Sequence, residues 1–452
     1  MIRVRFAPAP TANLPTGNLS FNGARVALAN YLFALRGNGR MLLRFDDLDQ
    51  ERARSLPATG VWADQIMQDL RWFGIDWDTS FRQSERLELY QRTIDRLKRD
   101  KLIYPCFESE EELKAKQEFR RKRNQPLIYD RAMLALTAQQ RQAAEAGGKR
   151  PHWRFKLSGR TLEWTDLVLG PRQATLAAVS DPVLVRADGL PMPILASVVD
   201  DIDDATTHII LAEDNVGNTA VQIELFEVLR GSRQPVRFGH LPAPSDSGEV
   251  AGRGRKLGNL TLRNLRNDGV EPSAIAACMM HSGFGEPEPL PMRELATHFD
   301  LAGFADSRFD ITQMLAVNRR VLQGLDFAAV ADRLPGGATE AFWLAVRGSL
   351  DLLKEARGWW DVIAGTIVPP VIEGERELLL TAGSLLPPEP WGDDVWNQWI
   401  AALEQVTGRS GEALLVPLRL SLTGEDSGPD LAALLPLIGR SRAASRLATA
   451  AA

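Results

Sequence analysis

The fold is decided by the stretch IRVRFAPAPTANLPTGNLSFNGARVALANYLFALRGNGRMLLRF, residues 2–45. Apolar side chains alternate with polar ones over residues 2–6, which predicts a first strand. Apolar residues then recur at helical spacing over residues 24–35, Gly37 ends this helix, and residues 41–45 read as a second strand. A strand, loop, helix and strand in this order predict a parallel α/β fold, in which the loop before the helix holds phosphates.

That loop contains a near-repeat of five residues, PTANL at 10–14 and PTGNL at 15–19. The repeat lengthens the loop and changes its chemistry relative to an ordinary phosphate-binding turn. Proline, threonine and asparagine are common in turns, so a chance recurrence is the alternative to a functional one. The sequence therefore raises the question of whether this scaffold still does nucleotide chemistry.

Length and composition limit the class of protein. A chain of 452 residues predicts about three domains, and 44% hydrophobic with 25% charged residues is typical of a globular protein. A net charge of −5 excludes a bulk polycation, so any contact with nucleic acid must come from local patches. The two cysteines, Cys106 and Cys278, form no disulfide framework or zinc cluster, and we expect no zinc. No apolar run of about 20 residues and no signal-like N-terminus appear, which predicts a cytoplasmic protein without membrane contact.

Further along the chain, two kinds of pattern alternate. Residues 108–150 are charged and helical in pattern, and they include a cluster of six cations at 114–123. Strand-like runs return at 152–187, so the charged stretch reads as an insertion in one α/β domain. From about residue 312 the patterns are helical. The cationic cluster is either a solvated helix face or a contact with an RNA backbone.

Ten short stretches together strongly resemble glutamyl-tRNA synthetases, which are class I aminoacyl-tRNA synthetases. They are RFAP (5–8), RFDDLDQERAR (44–54), RQSERLELYQ (82–91), YDRA (129–132), HWRFK (152–156), DPVLVRADG (181–189), SVVDD (197–201), THII (207–210), AED (212–214) and PLRLSLTG (417–424). The resemblance covers nearly the whole chain, and we identify the chain as a divergent member of the family.

The resemblance implies an α/β plus all-α protein. A Rossmann-type catalytic domain is split by an acceptor-binding insertion and followed by a helical connecting domain and a helical anticodon-binding domain. The segments that we assign to these parts are 1–105 and 188–240 for the catalytic domain, 106–187 for the insertion, 241–311 for the KMSKS-like loop with the connecting domain, and 312–452 for the anticodon-binding domain. The ligands implied are ATP with Mg²⁺, glutamate or another amino acid, and tRNA, bound by a monomer or by a complex with an unknown partner protein.

Family members activate the amino acid with two elements named HIGH and KMSKS. The first aligns with residues 20–23, where Ser20 replaces the histidine, Asn22 replaces a glycine, and Gly23 is retained. Ser20 can donate one hydrogen bond but carries no positive charge, and Asn22 adds a side chain where ATP needs room. The resemblance therefore assigns Gly17, Ser20 and Gly23 to the phosphates, and Ser20, Asn22 and Gly23 to the catalytic set.

The second element is altered too. In the register that needs no gap, it falls on residues 252–256, with Arg255 at the catalytic lysine position and Lys256 beside it. In the other register Asn259 takes that position, and the positive charge near the phosphates is lost. We favour the first register, so Arg255 and Lys256 complete the predicted catalytic residues and Arg255 also the ATP contacts.

The amino-acid pocket implied by the resemblance contains two retained positions and several changed ones. Arg5 matches the reader of the substrate carboxylate, Asp46 matches the acidic residue that faces the ammonium group, and Ala9 belongs to the same pocket. The expected tyrosine is Pro193, and the expected arginine is Leu211. An apolar side chain does not replace a bidentate guanidinium.

Two acidic residues persist near the expected adenosine site, Glu213 and Asp214, although the histidine that usually follows them is Asn215. Structural readings stand beside these assignments: Arg5 could simply pair within the core, and the acidic run 46–49 could cap a helix.

Three functions are consistent with this sequence. The first is a synthetase-like protein that keeps tRNA affinity and has lost ordinary glutamate activation. The second is a working glutamate–tRNA ligase that uses Ser20, Arg255 and Lys256 as substitutes. The third is a repurposed ligase that activates a different carboxylate or uses an acceptor other than tRNA.

Overall fold

The computed structural model describes residues 1–9, 18–48, 61–231, 236–243, 245–246, 260–281, 286–306, 308–392 and 394–452. The chain divides into two compact units. The first comprises residues 1–263, 279–286 and 290–309, and the second comprises 264–278, 287–289 and 310–452.

The strands of the described residues all belong to the first unit. They are β1 Arg3–Phe6, β2 Arg40–Phe45, β3 Thr79–Arg82, β4 Ile103–Cys106, β5 His152–Phe155, β6 Thr161–Asp166, β7 Gly170–Thr175, β8 Val183–Val185, β9 His208–Ala212, β10 Arg237–Leu241, β11 Ser245–Asp246 and β12 Arg308–Phe309.

Helices occur in both units. They are α1 Phe21–Arg36, α2 Val61–Trp72, α3 Leu87–Arg99, α4 Glu110–Lys122, α5 Ala138–Ala146, α6 Pro193–Asp203, α7 Thr219–Arg230, α8 Leu262–Asp268, α9 Pro272–Met280, α10 Met292–His298, α11 Ile311–Gly324, α12 Phe327–Val330, α13 Glu340–Val346, α14 Ala356–Ala364, α15 Arg376–Ser384, α16 Val395–Thr407, α17 Glu412–Thr423, α18 Leu431–Ile438 and α19 Arg440–Ala450. Within the described part of the chain, no helix is long and apolar enough to span a membrane.

The first unit is built on parallel strands. Strands β1, β2 and β3 form one parallel sheet in that order, and β9 pairs with β10 in parallel. The N–H of Thr207 donates to Arg3 O (2.9 Å), and the N–H of Arg3 donates to Thr207 Oγ1 (2.9 Å), so β9 begins beside β1. Strand order thus reverses at β1 and β9, which is where α/β sheets bind ligands. The α/β class and the helix ending at Gly37 are confirmed.

The inserted segment has its own antiparallel structure. Strands β4, β5 and β8 form one sheet, and β6 with β7 forms a hairpin. Helices α4 and α5 start with capping boxes at Ser109 and Thr137. In each box the hydroxyl of the cap residue accepts the backbone N–H of the residue three positions later, and the side chain of that later residue accepts the backbone N–H of the cap residue. Neither helix contains a fully buried residue.

A buried hydrogen bond between Asp166 and His240 connects the β6–β7 hairpin to β10. Asp166 at the end of β6 accepts the N–H groups of Val168, Leu169 and His240 at 3.0–3.1 Å, and its Oδ2 lies 2.5 Å from His240 Nδ1. Burial alone would raise the pKa of Asp166. The hydrogen bonds from His240 and from the backbone N–H groups have the larger effect, so the pKa of Asp166 lies below its ordinary value.

Replacement of Asp166 by asparagine is therefore expected to lower the free energy of unfolding by about 1–3 kcal/mol at pH 7. A depressed carboxyl pKa gives stability that is present above the unfolded value of about 3.9 and is lost as the pH falls through the folded value. Urea unfolding from pH 3 to 7 measures both effects. The wild-type protein should lose this contribution below about pH 4, whereas the free energy of unfolding of the variant should fall less over the same pH range. Parallel curves of unfolding free energy against pH would contradict the prediction.

The second unit is helical and packs around tryptophans. Trp343 and Trp399 are fully buried, and their indole N–H groups donate to Leu325 O (2.8 Å) and Ala382 O (3.0 Å). A buried tryptophan usually has its indole N–H hydrogen-bonded in this way. The helical second half predicted from residue 312 onward is thus observed.

Candidate functional site

The candidate site lies at the carboxyl ends of β1 and β9, close to where α1 begins. The segments that follow β1 and β2 meet there, because the N–H of Asp46 donates to Pro8 O (3.0 Å). The carboxylate of Asp46 pairs with Arg44. Residues 49–60 lie outside the described part of the chain, so the helix-cap reading of the acidic run 46–49 stays a prediction.

The N-terminus of α1 is capped by Ser20. Its Oγ accepts a hydrogen bond from the N–H of Gly23 (3.0 Å), which is the usual role of serine at this position. The side chain of Asn22 is exposed. A Cβ on Gly23 would lie 2.9 Å from Leu19 Cδ1, so the retained glycine fits tightly.

The segment that follows residue 259 pairs with this N-terminus. Ser20 and Thr261 form an antiparallel bridge, the N–H of Phe21 donates to Leu260 O (2.9 Å), and the N–H of Leu262 donates to Leu19 O (3.0 Å). Residues 260–262 are therefore fixed beside residues 19–21.

Below the site lies a network of buried charges. Arg5 is 3% exposed, and its Nε donates to Asp201 Oδ1 (3.1 Å). Arg44 is 1% exposed and donates to the same Oδ1 (3.0 Å), to Asp46 Oδ1 (2.7 Å) and to Ser197 Oγ (2.9 Å). One aspartate on α6 thus connects the two retained pocket residues, Arg5 and Asp46.

The charges in this network support one another. Burial opposes the positive charge of Arg44, but the carboxylates of Asp46 and Asp201 outweigh it and raise the pKa of Arg44 above the ordinary value. Asp200 adds a further buried carboxylate, which accepts hydrogen bonds from Tyr90 Oη (3.0 Å) and Gln83 Nε2 (2.8 Å) and forms an ion pair with Arg86, whose Nε lies 3.1 Å from Oδ1. Within the described residues, Arg5 Nη1 is buried without a hydrogen-bond partner. A buried orphan guanidinium donor is costly, and an anionic group arriving from outside would satisfy it.

Comparisons with known proteins show the family of the chain. The sequence matches the family described as "tRNA synthetases class I (E and Q), catalytic domain" over residues 1–323, and the "Anticodon binding domain" family over residues 373–451. The "Glutamate--tRNA ligase 2" of Granulibacter bethesdensis is 52% identical over 99% of this chain and 98% of its own length. The chain belongs to the glutamyl-tRNA synthetase family. The protein of the same name from Acidiphilium cryptum is also 52% identical, over the full length of both chains.

A solved structure agrees at the level of the fold. The crystal structure of a glutamate tRNA ligase from Elizabethkingia meningosepticum superposes with a TM-score of 0.81 at 24% identity, covering 100% of this chain and 99% of that one. This confirms the predicted class I catalytic fold followed by a helical anticodon-binding-like part. The five segment boundaries predicted from the sequence stay a prediction.

The changed pocket positions present apolar or exposed groups in this synthetase-family chain. Pro193 is the exposed first residue of α6, where its fixed φ and missing N–H are well tolerated. Leu211 is half-buried in β9, packs against the apolar core of the first unit, and pairs in register with His240. Ala9 is exposed beyond β1.

The predicted adenosine contacts follow β9 directly. Glu213 and Asp214 are exposed in a 3₁₀ turn over Glu213–Asn218, and Asp214 Oδ1 accepts from Asn215 Nδ2 (2.7 Å). Gly17, Arg255 and Lys256 lie outside the described residues, so their predicted roles stay predictions.

Two groups of residues were missed by the sequence reasoning. The first is Arg44 with Asp200 and Asp201; two adjacent acids in the apolar helix PILASVVDDID were the available signal. The second is Cys106, Glu108 and His152, whose ligand atoms lie within 4.8 Å of one another.

The cysteine group is already engaged in hydrogen bonds. Glu108 accepts from Lys116 (2.9 Å) and from Tyr129 Oη (2.8 Å). Burial raises the pKa of the Cys106 thiol to about 11, which keeps the thiol protonated at neutral pH. Burial also lowers the pKa of His152, so the group combines a neutral imidazole with a neutral thiol.

The role of Ser20 as a cap gives a testable prediction. Ser20→Ala is expected to lower the free energy of unfolding by about 0.5–2 kcal/mol, because the N–H of Gly23 loses its acceptor. Ser20→Asp is the matched control, since aspartate caps equally well and should stay within a few tenths of the wild-type value. Urea unfolding of the three proteins tests this; equal loss in both variants would contradict a capping role.

Proposed function

We propose that this chain is a tRNA-binding protein of the glutamyl-tRNA synthetase family that activates glutamate far more slowly than an ordinary ligase. The observation that carries the proposal is the chemistry of three positions around the site. Ser20 Oγ is an acceptor for the N–H of Gly23, Pro193 has no side-chain donor, and Leu211 is apolar. The resemblance requires an imidazole, a phenol and a guanidinium at these positions.

The size of the expected loss supports this proposal. Activation needs no protein nucleophile, because it depends on positioning and on stabilising charge at the phosphates. Removal of one such donor costs about 10²–10³ in rate. Two independent losses would multiply to roughly 10⁴–10⁶, which takes a typical rate of about 10 s⁻¹ below about 10⁻³ s⁻¹.

ATP with Mg²⁺ fits the residues at this site in part. The first turn of α1 contains no acidic side chain among its described residues, and its backbone N–H groups suit a phosphate. Glu213 and Asp214 are exposed at the end of β9 and would face the adenosine. When bound, the nucleotide supplies the phosphoryl group that the amino-acid carboxylate attacks. The protein contributes the helix N-terminus, Arg5 and the carboxylate of Asp46.

Binding of tRNA is supported independently of catalysis. Residues 373–451 match an anticodon-binding domain, and four cations of the cluster at 114–123 are exposed on α4 or directly after it: Lys114, Arg121, Lys122 and Arg123. A charged helix face of this kind attracts a phosphate backbone without requiring an intact activation site.

A working ligase is the second candidate, and the names of the relatives favour it. Both proteins at 52% identity are called glutamate–tRNA ligases and match end to end. Retention of Arg5 with its buried orphan Nη1, and of Asp46, is consistent with a pocket that still binds an amino acid.

ATP–pyrophosphate exchange with purified protein separates these functions. We expect little exchange with glutamate, together with tRNA binding that weakens as salt rises. Exchange with glutamate at several turnovers per second would establish the working ligase and overturn the proposal. Robust exchange with another amino acid would instead establish a repurposed ligase. Absence of tRNA binding would overturn the tRNA-binding part of the proposal.

A further inference from the structure

Three buried polar side chains form a chain of hydrogen bonds near the carboxyl end of β9. Asp166 Oδ2 lies 2.5 Å from His240 Nδ1, and His240 Nε2 lies 3.2 Å from Thr219 Oγ1. All three residues are at most 2% exposed. An acid, an imidazole and a hydroxyl in this order also make up a nucleophilic triad, but there the substrate must reach the hydroxyl. Because Thr219 is fully buried, these residues hold other groups in place and do not react themselves.

Asp166 determines which nitrogen of His240 carries the proton. Its Oδ1 accepts three backbone N–H groups, from residues 168, 169 and 240, which leaves Oδ2 for the imidazole. Against the effect of burial, these hydrogen bonds keep the pKa of the Asp166 carboxyl below its ordinary value, so the carboxylate accepts and His240 Nδ1 donates. The ring orientation is thereby fixed, and Nε2 faces the hydroxyl of Thr219, from which it accepts when the ring is uncharged.

Thr219 stands at the far end of an exposed turn. The chain leaves β9 at Ala212, runs through the 3₁₀ turn Glu213–Asn218 and enters α7 at Thr219. The residues of this turn are exposed or half-buried. Among the described residues, the side chain of Asn218 makes no capping hydrogen bond to α7, so the cap position does not fix this junction. The hydrogen bond between Thr219 Oγ1 and His240 therefore holds the far end of the turn.

Two consecutive residues of β10 hold the two ends of this turn. In the parallel pair of β9 and β10, Leu241 lies opposite Ala212, from which the turn departs. The preceding residue, His240, binds Thr219, to which the turn returns. The predicted adenosine contacts, residues 213–214, lie between these two fixed points. A loop that is ordered before its ligand arrives binds at a smaller entropic cost than one that is ordered on binding.

We propose that His240 is a positioning residue for nucleotide binding: it holds Thr219 and thereby fixes the turn that presents Glu213 and Asp214 to the adenosine. The proposal rests on the nucleotide site of the proposed function, but not on the rate of activation. His240 itself does not touch the ligand, because its ring is fully buried and both of its nitrogens are engaged.

Nucleotide binding by the full-length protein tests this role through Thr219→Val, which keeps the shape of the side chain and removes its hydroxyl. Titration calorimetry with magnesium ATP and with tripolyphosphate separates the adenosine side of the site from the phosphate side. We expect Thr219→Val to weaken ATP binding about five- to tenfold, because the turn is then ordered only when the ligand binds. Binding of tripolyphosphate should stay unchanged.

Three further variants separate positioning from a loss of stability. Thr219→Ser keeps the hydroxyl and should restore the affinity for ATP. Thr423→Val removes a similarly buried hydroxyl from the second unit, where Oγ1 donates to Arg419 O (2.7 Å). This control should lower the urea midpoint as Thr219→Val does, without changing the affinity for ATP. His240→Asn keeps a nitrogen near the Nδ1 position for Asp166 but has no atom at the Nε2 position, so it should bind ATP as weakly as Thr219→Val.

The results that contradict this role differ from those that contradict the proposed function. Wild-type affinity for ATP in Thr219→Val and His240→Asn overturns the positioning role, as does an equal loss of affinity for ATP and tripolyphosphate. Failure of the wild-type protein to bind ATP overturns the nucleotide site of the proposed function as well. Binding of tRNA, measured on the same preparations, tests the rest of that function separately.

Discussion

Replacement of Arg44 by methionine is expected to lower the free energy of unfolding by about 3–5 kcal/mol, more than any other single substitution considered for this chain. Arg44 is 1% exposed and lies within 3.0 Å of Asp46 and Asp201, with Asp200 at 3.8 Å. Methionine matches the aliphatic part of the arginine side chain, so most of the loss comes from leaving these carboxylates buried without their main cation. Chemical denaturation of the two proteins measures the difference.

The matched control is Arg40→Met in the same strand. Arg40 is 59% exposed, and its Nε is 4.0 Å from Asp78 Oδ1. Exposed ion pairs contribute about 0–1 kcal/mol, so this variant should stay within that range of the wild-type protein. Amide hydrogen exchange in β2 gives a local readout, because loss of the network should accelerate exchange there in Arg44→Met only. Equal destabilisation by both substitutions would contradict the network as the cause.

The fold could be predicted because its signals are local. Alternation over residues 2–6 and helical spacing before Gly37 depend on side chains a few positions apart, and the observed β1 and α1 follow them closely. The spacing of Trp62, Ile66 and Leu70 is likewise a local signal, and all three are buried on the observed helix Val61–Trp72. Helix and strand periods are properties of the backbone, so they survive changes in the site.

The site was less predictable because its contacts are distant in the chain. Arg5 finds Asp201 across 196 residues, and no periodicity indicates which acid a buried arginine will meet. Ser20 shows a different difficulty. The hydrogen bond from the N–H of Gly23 to Ser20 Oγ is local, so a helix cap could be predicted from the sequence. The resemblance, however, assigns residue 20 to catalysis. A residue with a sufficient structural role needs a functional test before it is counted as a substitute for histidine.

The chemistry of the site leads to the second large prediction. A variant carrying Ser20→His, Pro193→Tyr and Leu211→Arg is expected to raise glutamate-dependent ATP–pyrophosphate exchange at least about a hundredfold. The substitutions restore an imidazole at the N-terminus of α1 and two donors around the carboxylate pocket. Pro193 is exposed and Leu211 is half-buried, so larger side chains can reach solvent or ligand at both positions. Exchange rates of the variant and the wild-type protein at saturating ATP give the result directly.

Arg5→Lys in the same triple variant tests whether the gain depends on the retained pocket. Lysine keeps a positive charge opposite Asp201 but lacks the planar fork that binds a carboxylate through two hydrogen bonds. The gain should therefore fall by tenfold or more, while the free energy of unfolding changes much less than in Arg44→Met. A triple variant that is as slow as the wild-type protein would show that donors at residues 20, 193 and 211 do not limit activation. The limiting difference would then lie at another position where the resemblance predicts a departure: Asn22, Asn215, the lengthened loop before α1 or the segment around Arg255.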